Sequence, residues 1–449
     1  MSKLKTLYDA SMYDSRPVPS YWEATAGSTA QNYDPLQTDE SCDIAIIGGG
    51  YTGLSAALHL ARDYSIDVRV LEAGHIGWGA SGRNGGFCCI PASKMSIEQM
   101  IGKFGLEETK RFYTAQIDGT ELTRNLSIEE NIDCDIVGDG NMNVAHAPNR
   151  FDEIKQEAQQ LNNLFGIKTT LYSKDEFAEI GHDSTEQYGA LHMQVGFALH
   201  PLKLTQGLGQ AATRHGAKLH PHSFVSAWNK NDSWHELVTR DGTLRARQVL
   251  VATNGFTREG LHAQFDNIML PAISNIIVTR PLNDNELQAQ SWHTENPICN
   301  TRALLFYYRM LPDKRFLFGA RGDTTGKVRD GEKMKRWMVK RLGEVFPAWK
   351  AVDIEYFWRG LVCVTRKLTP SVGNLNDDPS IWYGFGYHAN GVNTAPWCGM
   401  KLASAIAGKE DIDKLPTPIC GLAPRFPIGS MRPWALRGAY AWYKFTDDR

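Results

Sequence analysis

The chain has 449 residues, of which 42% are hydrophobic and 22% charged, and this length predicts two or more domains with sizeable cores. Its formal net charge of −2 gives no basis for binding nucleic acid or an anionic membrane surface. The eight cysteines are scattered without the spacing of a zinc site, so we expect no metal site and reduced thiols in a cytoplasmic protein. The amino-terminal residues show no apolar signal region, and we expect no transmembrane segment.

The first predicted elements form a strand–loop–helix–strand unit. A polar segment, 1–40, is expected to lie over the surface as an arm. The run Ile44–Ile47 after it is apolar and β-branched, as in a buried parallel strand. It leads into a G-x-G-x-x-G pattern at Gly48–Gly53, which opens a helix with an apolar face, and a second strand then ends at Glu72. This order predicts a dinucleotide-binding site.

Each part of this unit has a mechanical reason. Gly48 permits a tight turn, Gly50 lets the backbone approach a pyrophosphate, and Gly53 lets the helix pack closely on the strand. The helix N-terminus offers free N–H groups and a positive dipole end to the phosphates. Glu72 would accept hydrogen bonds from the adenosine ribose and repel a 2′-phosphate. The motif alone leaves NAD, FAD and a non-catalytic scaffold open.

The segment that follows, Gly74–Phe87, is unusually rich in small residues. Seven of its fourteen residues are glycine or alanine, and Arg83 and Asn84 stand among the glycines. The backbone is therefore expected to pass close to a flat or crowded group. The alternative is a flexible loop.

Later segments alternate between two characters. Residues 96–190 predict amphipathic helices around short strands, and a strand is predicted over Lys218–Trp228. Alternating strands are predicted between 266 and 355, and a strand at 381–386 enters a helix that begins at Gly391. We therefore predict an α/β protein with a Rossmann-like dinucleotide-binding domain built from discontinuous segments and an inserted substrate domain with a mixed or antiparallel sheet. The expected segments are 41–95, 196–265 and 356–420 for the first domain, 96–195 and 266–355 for the second, and 421–449 for an aromatic tail that docks on the protein itself.

Four motifs in this order resemble the D-amino-acid-oxidase-like FAD-dependent oxidoreductases. They are the amino-terminal unit with its acid, the loop at 79–86, the strand end at 251–255 and the run at 384–393. Within that family the chain is most similar to γ-glutamylputrescine oxidases, in 50–60, in 80–86 and in Tyr307-Tyr308-Arg309 with the strand after it. Sarcosine and pipecolate oxidases are similar but more distant.

The resemblance implies FAD, bound without a covalent link. Phe224-Val225 match the segment that reads the adenine, and Gly391 begins a helix whose N-terminus points at the flavin edge that becomes negative on reduction. Cys363 lies where sarcosine oxidases attach flavin covalently, so a covalent link is the alternative. The implied cofactor-binding residues are Gly48, Gly50, Tyr51, Thr52, Gly53, Glu72, Ala73, Ser81, Arg83, Asn84, Gly85, Gly86, Val225, Ala252, Thr253, Asn254, Gly255, Arg359, Gly386, His388, Asn390, Gly391, Val392 and Asn393.

The implied reaction oxidises a C–N bond of a small amine or amino acid by hydride transfer to flavin N5. Water then hydrolyses the imine, and O2 reoxidises the flavin to give H2O2. The catalytic candidates are His388, Tyr307 and Tyr308, of which strand alternation allows only one tyrosine to face inward. Arg309 and Arg321 are candidates for binding a substrate carboxylate. The alternatives are a structural histidine, a half-buried tyrosine pair and solvated arginines.

Two departures from sarcosine oxidases widen the choice of function. Leu317 stands where those enzymes have an oxygen-activating lysine, and Asn393 stands where they have a lysine that binds the substrate carboxylate. We therefore also consider a flavin dehydrogenase that passes electrons to a quinone or protein. An oxidase of secondary or cyclic amino acids is a further alternative.

Overall fold

Two eight-stranded sheets, each assembled from separate parts of the chain, organise the computed structural model within residues 4–27 and 33–447, which the structure describes. Residues 1–3 and 28–32 of the expected amino-terminal arm and residues 448–449 of the tail lie outside the described residues. The α/β class and the pairing of a dinucleotide-type sheet with an inserted mixed sheet are confirmed.

The first sheet has a parallel centre. Glu40–Ile47 lies between Val68–Leu71 and Thr243–Val251, and Ile46 stands opposite a residue of each neighbour. Both faces of these strands are buried, which explains their continuous apolar runs. In spatial order the strands are Ser371–Asn374, Ile381–Phe385, Thr243–Val251, Glu40–Ile47, Val68–Leu71 and Lys218–His220, with the hairpin Ala227–Asn231 and Trp234–Val238 paired to Thr243–Val251.

The strand predicted over Lys218–Trp228 is wrong as a single element. It is two strands, Lys218–His220 and Ala227–Asn231, separated by an irregular segment that begins at Pro221. Proline has no N–H to donate to a ladder, so pairing ends there. Residues 221–226 are therefore not held in the sheet by strand pairing.

Helices cover the first sheet and connect it to the second. Gly391–Ile406 packs between Tyr51–Tyr64 and Leu106–Glu129, and a Cβ added at Gly399 would lie 2.5 Å from Thr52 O. The α-helices are Tyr21–Thr25, Tyr51–Tyr64, Ala80–Arg83, Ile97–Phe104, Leu106–Glu129, Pro148–Phe165, Lys174–Ile180, Pro201–Arg214, Asp284–Ala289, Val328–Val345, Gly391–Ile406 and Arg432–Asp447. None of these described helices is both long and apolar enough to span a bilayer.

The second sheet is mixed. Most of its neighbours are antiparallel, while Asn141–Val144 and Ile298–Asn300 pair in parallel. Helix Val328–Val345 packs on one face over an aromatic core. In spatial order the strands are Ile354–Thr365, Met269–Pro281, Arg315–Arg321, Tyr307–Met310, Ile298–Asn300, Asn141–Val144, Ala190–Met193 and Thr169–Tyr172.

Ile354–Thr365 pairs with Met269–Pro281 along nearly its whole length. The domain boundary that we expected at 356 therefore falls inside a strand of the second sheet.

Two further features complete the fold. Phe87–Cys88 pairs with Phe197–Ala198 in a short separate sheet. All eight cysteines are free thiols, and six of them are buried.

Candidate active site

One large cavity of about 1130 Å³ runs from the first sheet to the second. Sites for drug-sized ligands occupy roughly 300–1,000 Å³. The volume here is enough for an extended dinucleotide together with a small substrate. Residues of the glycine pattern, of the loop 78–85 and of the strand Tyr307–Met310 all contribute to its walls.

The glycine pattern lies at the end of the central strand. Gly48 has φ 114°, and a Cβ there would lie 2.8 Å from Ala252 O on the neighbouring strand end. A Cβ at Gly53 would lie only 2.0 Å from Gly48 O. Side chains at these two positions would therefore force the turn and the helix apart. Gly48, Gly50 and the first helical residues, Tyr51 and Thr52, line the cavity.

Glu72 and Ala73 line the same end of the cavity, and the Glu72 carboxylate holds the glycine turn. Its Oε2 accepts a hydrogen bond from Gly49 N at 2.7 Å, and its Oε1 accepts one from Gly74 N at 2.9 Å. Burial raises the pKa of this carboxyl, and the backbone N–H groups oppose that shift. Each carboxylate oxygen can accept a second hydrogen bond, so Glu72 retains capacity for a ligand hydroxyl.

Two side chains of the small-residue loop accept hydrogen bonds from nearby backbone N–H groups. Ser81 Oγ accepts from Tyr51 N at 3.0 Å, and Asn84 Oδ1 accepts from Gly86 N at 2.8 Å. Gly85 lines the cavity, whereas Gly86 packs against Leu199 O outside it.

Arg83, in the same loop, also lines the cavity, and its Nε donates to Trp78 O at 2.7 Å. Its Nη2 is buried and has no acceptor among the described residues. Burial lowers the pKa of Arg83 to about 10, which still leaves the guanidinium charged near neutral pH. A buried cation with an unused donor suits an anionic or carbonyl-bearing ligand.

The neighbouring strand ends complete this end of the cavity. Ala252, Thr253 and Asn254 line it after strand Thr243–Val251, and Val225 lines it from the irregular segment 221–226. Gly255 packs against the second sheet and does not reach the cavity.

His388 lies in a strained turn at the cavity wall. Its φ is 50°, in the left-handed region, and its side chain is fully buried. Nε2 donates to Thr369 O at 3.2 Å, while Nδ1 is buried without a partner among the described residues. Burial lowers the pKa of His388 to about 3. The ring is therefore neutral at pH 7, with Nδ1 as an acceptor.

The helix Gly391–Ile406 begins at the cavity. Asn390, Gly391 and Val392 line the wall, and the helix N-terminus gives this end a positive dipole. Asn393 points away, since its Nδ2 donates to Gln116 O at 3.2 Å. Gly386 does not line the cavity either; its N–H donates to Asn254 Oδ1 at 3.0 Å.

Arg359 also lies outside the cavity. Its guanidinium donates to Gly326 O at 3.0 Å and pairs with Asp323 at 3.5 Å. The next two residues of the same strand, Gly360 and Leu361, line the cavity instead.

Tyr307 faces the cavity and Tyr308 does not. The Tyr307 hydroxyl lies 2.9 Å from Ser274 Oγ, and its ring lies over Gly319, where a Cβ would approach within 2.0 Å. Tyr308 points into the aromatic core behind the sheet, with its hydroxyl 3.2 Å from His182 Nε2.

Of the two candidate arginines, likewise, only one lines the cavity. Arg309 is fully buried beside Trp22, and its Nη2 donates to Leu199 O at 2.7 Å. Arg309 is therefore outside the cavity. Arg321 lines the cavity.

Comparison with known proteins identifies the family. Residues 43–405 match the model of the family described as DAO, FAD dependent oxidoreductase. The chain belongs to this family of FAD-dependent oxidoreductases. It is 30% identical to gamma-glutamylputrescine oxidoreductase of Escherichia coli over 95% of this chain and 98% of that protein.

Solved structures share the fold of this DAO family member. Glycine oxidase from Geobacillus kaustophilus matches with a TM-score of 0.69 and 20% identity over 83% of this chain and 96% of its own. L-proline dehydrogenase from P. horikoshii matches with a TM-score of 0.68 and 20% identity over 84% and 96%.

The residues present fit the FAD of the DAO family. The glycine turn and the helix at Tyr51 offer backbone N–H groups to a pyrophosphate, and Arg83 Nη2 provides an unused donor. The dipole of the helix that begins at Gly391 suits the edge of the flavin that becomes negative on reduction. Cys363 lines the cavity with its thiol buried, and burial raises the pKa of that thiol to about 12.

Several cavity residues of this DAO family member were not predicted. Lys94 comes from an irregular segment, and its solvent-exposed side chain lines the cavity near the thiols of Cys89 and Cys299. Tyr440 comes from the carboxy-terminal helix. The aromatic content of the tail was a signal for Tyr440, whereas no motif marks Lys94.

Proposed function

We propose that this protein oxidises a primary amine of the γ-glutamylputrescine kind with O2 as electron acceptor. In the balanced reaction R–CH2–NH2, O2 and H2O give R–CHO, NH3 and H2O2. The observation that carries the proposal is the continuous cavity from the dinucleotide turn at Gly48 to Tyr307 and His388. The likeness over 95% of the chain to a γ-glutamylputrescine oxidoreductase supports the substrate class.

Bound FAD would supply the two-electron acceptor for the C–N carbon. The residues of the chain would bind and orient the amine. Tyr307 is fixed by Ser274 at 2.9 Å and forms a rigid wall. Neutral His388 offers Nδ1 as an acceptor to an amine N–H. With a pKa near 3 it would be a weak general base, so we assign it an orienting role.

The cavity also favours the neutral form of the amine. Lys94 lines the wall that is shared with His388, and its positive charge opposes protonation of that ring. A protonated amine beside Lys94 would meet the same repulsion. The free-base amine, whose C–H bond is easier to oxidise, is then the form that binds best.

A substrate screen tests this function. The holoenzyme is mixed anaerobically with γ-glutamylputrescine, with simple diamines and with sarcosine, pipecolate and proline, and flavin bleaching is followed. Peroxide is then measured in air. We expect fast bleaching and peroxide release with γ-glutamylputrescine. Bleaching by the secondary amino acids alone would replace the proposal with a cyclic or secondary amino-acid oxidase.

A flavin dehydrogenase is the second candidate, and Leu317 favours it. This side chain is fully buried in a core with Trp22 and Trp358, where the related sarcosine oxidases have a lysine. Complete flavin reduction by the amine without oxygen consumption, together with electron transfer to a soluble quinone, would support the dehydrogenase instead.

We propose non-covalent FAD and a cytoplasmic location. The high pKa of the Cys363 thiol, which disfavours the reactive thiolate, and the eight free cysteines support these two statements. Acid denaturation tests the first. Yellow colour that stays in the protein pellet, and is lost in Cys363→Ser, would show a covalent link.

A further inference from the structure

The carboxy-terminal helix Arg432–Asp447 forms part of the cavity wall. Ala435, Leu436, Ala439, Tyr440 and Tyr443 line the cavity, and their spacing of one, three, one and three residues places them on one helical face. The tail of the chain therefore contributes a continuous surface to the site.

Charged groups fix this helix to both parts of the fold. Arg432 is buried, and its guanidinium donates to Gly429 O at 2.8 Å and pairs with Glu259 at 2.5 Å. One turn later, Arg437 Nε donates to Thr324 Oγ1 at 2.8 Å, just after the strand Arg315–Arg321. The position of the helix relative to that strand is thus specified by buried or partly buried hydrogen bonds.

Arg321 is a cation held between two aromatic rings. Its guanidinium lies 5.1 Å from the ring of Trp337 and 5.3 Å from the ring of Tyr440. No carboxylate of the described residues lies within 4.0 Å of it, and the nearby Asp323 pairs with Arg359. By contrast, Arg315 on the same strand pairs with two carboxylates, Asp313 and Glu355.

A half-buried guanidinium that lines the cavity and has no carboxylate partner among the described residues is suited to bind an anion. The aromatic rings cover its faces, while the N–H groups at its edge are the donors that match a carboxylate bidentately. Partial burial of Arg321 also lowers its pKa. A ligand carboxylate would stabilise the charged guanidinium.

The distance between the arginine and the reacting end limits the ligand. Tyr307 contacts Ser274, and Ser274 stands opposite Arg321 on the neighbouring strand. Adjacent strands lie about 4.8 Å apart, and the Arg321 guanidinium lies beyond its own strand, 5.3 Å from the ring of Tyr440. A carboxylate bound by Arg321 would therefore be separated by several bonds from a carbon held at Tyr307, unlike the carboxylate of an α-amino acid.

We propose that Arg321 and Tyr440 form a distal subsite that binds the carboxylate at the tail of the amine substrate. Tyr440 makes the carboxy-terminal helix a specificity element, since it holds the guanidinium in place. The inference rests on the proposed amine-oxidising function and narrows its substrate to amines with a remote carboxylate.

Two amines with the same aminobutyl end test the subsite. γ-Glutamylputrescine carries a carboxylate at its tail, and N-acetylputrescine does not. In Arg321→Met, KM for γ-glutamylputrescine is expected to rise by about 10- to 100-fold, the range for hydrogen bonds to a charged group. KM for N-acetylputrescine is expected to stay unchanged. Arg315→Met, which removes a paired arginine from the same strand, is the matched control and should change neither value.

Two variants separate the tyrosine ring from its hydroxyl. Tyr440→Leu is expected to raise KM for γ-glutamylputrescine by about 3- to 30-fold through loss of the cation–π contact. Tyr440→Phe keeps the ring and should retain the parent value. Equal effects of Arg321→Met on both amines, or a Tyr440→Leu variant that matches the parent, would overturn the proposal.

A binding measurement keeps this test separate from turnover. Calorimetric titration of the holoenzyme with glutarate is expected to show binding in the parent and Tyr440→Phe proteins and its loss in Arg321→Met. If the parent oxidises neither amine, the proposed function fails, yet the glutarate result still decides the subsite. Glutarate binding that is unchanged in Arg321→Met would refute the subsite whatever the enzyme oxidises.

Discussion

Glu72→Gln should weaken FAD binding although it keeps the shape of the side chain. The carboxylate accepts hydrogen bonds from Gly49 N at 2.7 Å and Gly74 N at 2.9 Å. A carboxamide has one oxygen, so its NH2 group must face one of these two N–H donors. Loss of a hydrogen bond to a charged group costs about 1.5–3 kcal/mol. Because the turn it fixes lines the cofactor end of the cavity, we expect a rise of about 10- to 100-fold in the Kd for FAD.

The assay is titration of the apoprotein with FAD, followed by quenching of flavin fluorescence. Glu130→Gln is the matched control. That buried carboxylate pairs with Arg62 at 2.9 Å and Arg214 at 3.0 Å, away from the cavity. Its loss should lower the free energy of unfolding without changing the Kd. An unchanged Kd in Glu72→Gln, or an equal rise in both variants, would refute the reasoning.

Four further predictions concern single side chains. Tyr307→Phe should slow anaerobic flavin reduction by about tenfold by releasing the ring from Ser274. Tyr308→Phe should instead lower the free energy of unfolding by about 1–3 kcal/mol and leave the rate of flavin reduction unchanged. Stopped-flow absorbance measures the reduction rates and urea denaturation measures the free energies of unfolding. The opposite assignment of the two effects to the two variants would contradict the prediction. Lys94→Met should slow reoxidation in air by about tenfold, because its charge stabilises negative charge developing on dioxygen, and an unchanged rate would contradict this role. Burial lowers the pKa of His182 from 6.5 to about 3, so this ring takes up a proton on unfolding. His182 should therefore lower the free energy of unfolding by about 2 kcal/mol between pH 7 and pH 5. The His182→Phe variant should lose this part of the pH dependence, and a variant with the same pH dependence as the parent would contradict the assignment.

The end of the cavity around the glycine turn was largely predictable because its signals are local. The turn at Gly48–Gly53, the acid at the end of the next strand and the helix that starts at Gly391 each depend on residues close together in the chain. Local sequence fixes a glycine turn or a helix start, and parallel pairing then brings the strand ends together. The placements of Gly255, Arg359, Gly386 and Asn393 outside the cavity show the limit of this reasoning. A motif marks a segment, whereas the direction of each side chain depends on packing.

The substrate half depends on pairing between distant strands. Tyr307 faces the cavity because Gly319 on the neighbouring strand leaves room for its ring, and the register that joins them is not readable from either strand alone. The same alternation points Tyr308 toward the aromatic core, where its ring packs against His182 and Phe346. Tyr440 reaches the site only through tertiary docking of the tail helix.

Packing determines which positions around the cavity can carry a positive charge. A lysine at position 317 would project into the core of Trp22 and Trp358, where an unpaired ammonium is strongly unfavourable. Lys94 instead faces the cavity, next to the wall formed by His388 and Asn390. The ammonium group on this wall of the cavity therefore comes from the irregular segment after the small-residue loop and not from the second sheet. Because electrostatic stabilisation requires a charge at the right place and not on a particular strand, loss of the strand lysine does not by itself argue against reaction with dioxygen.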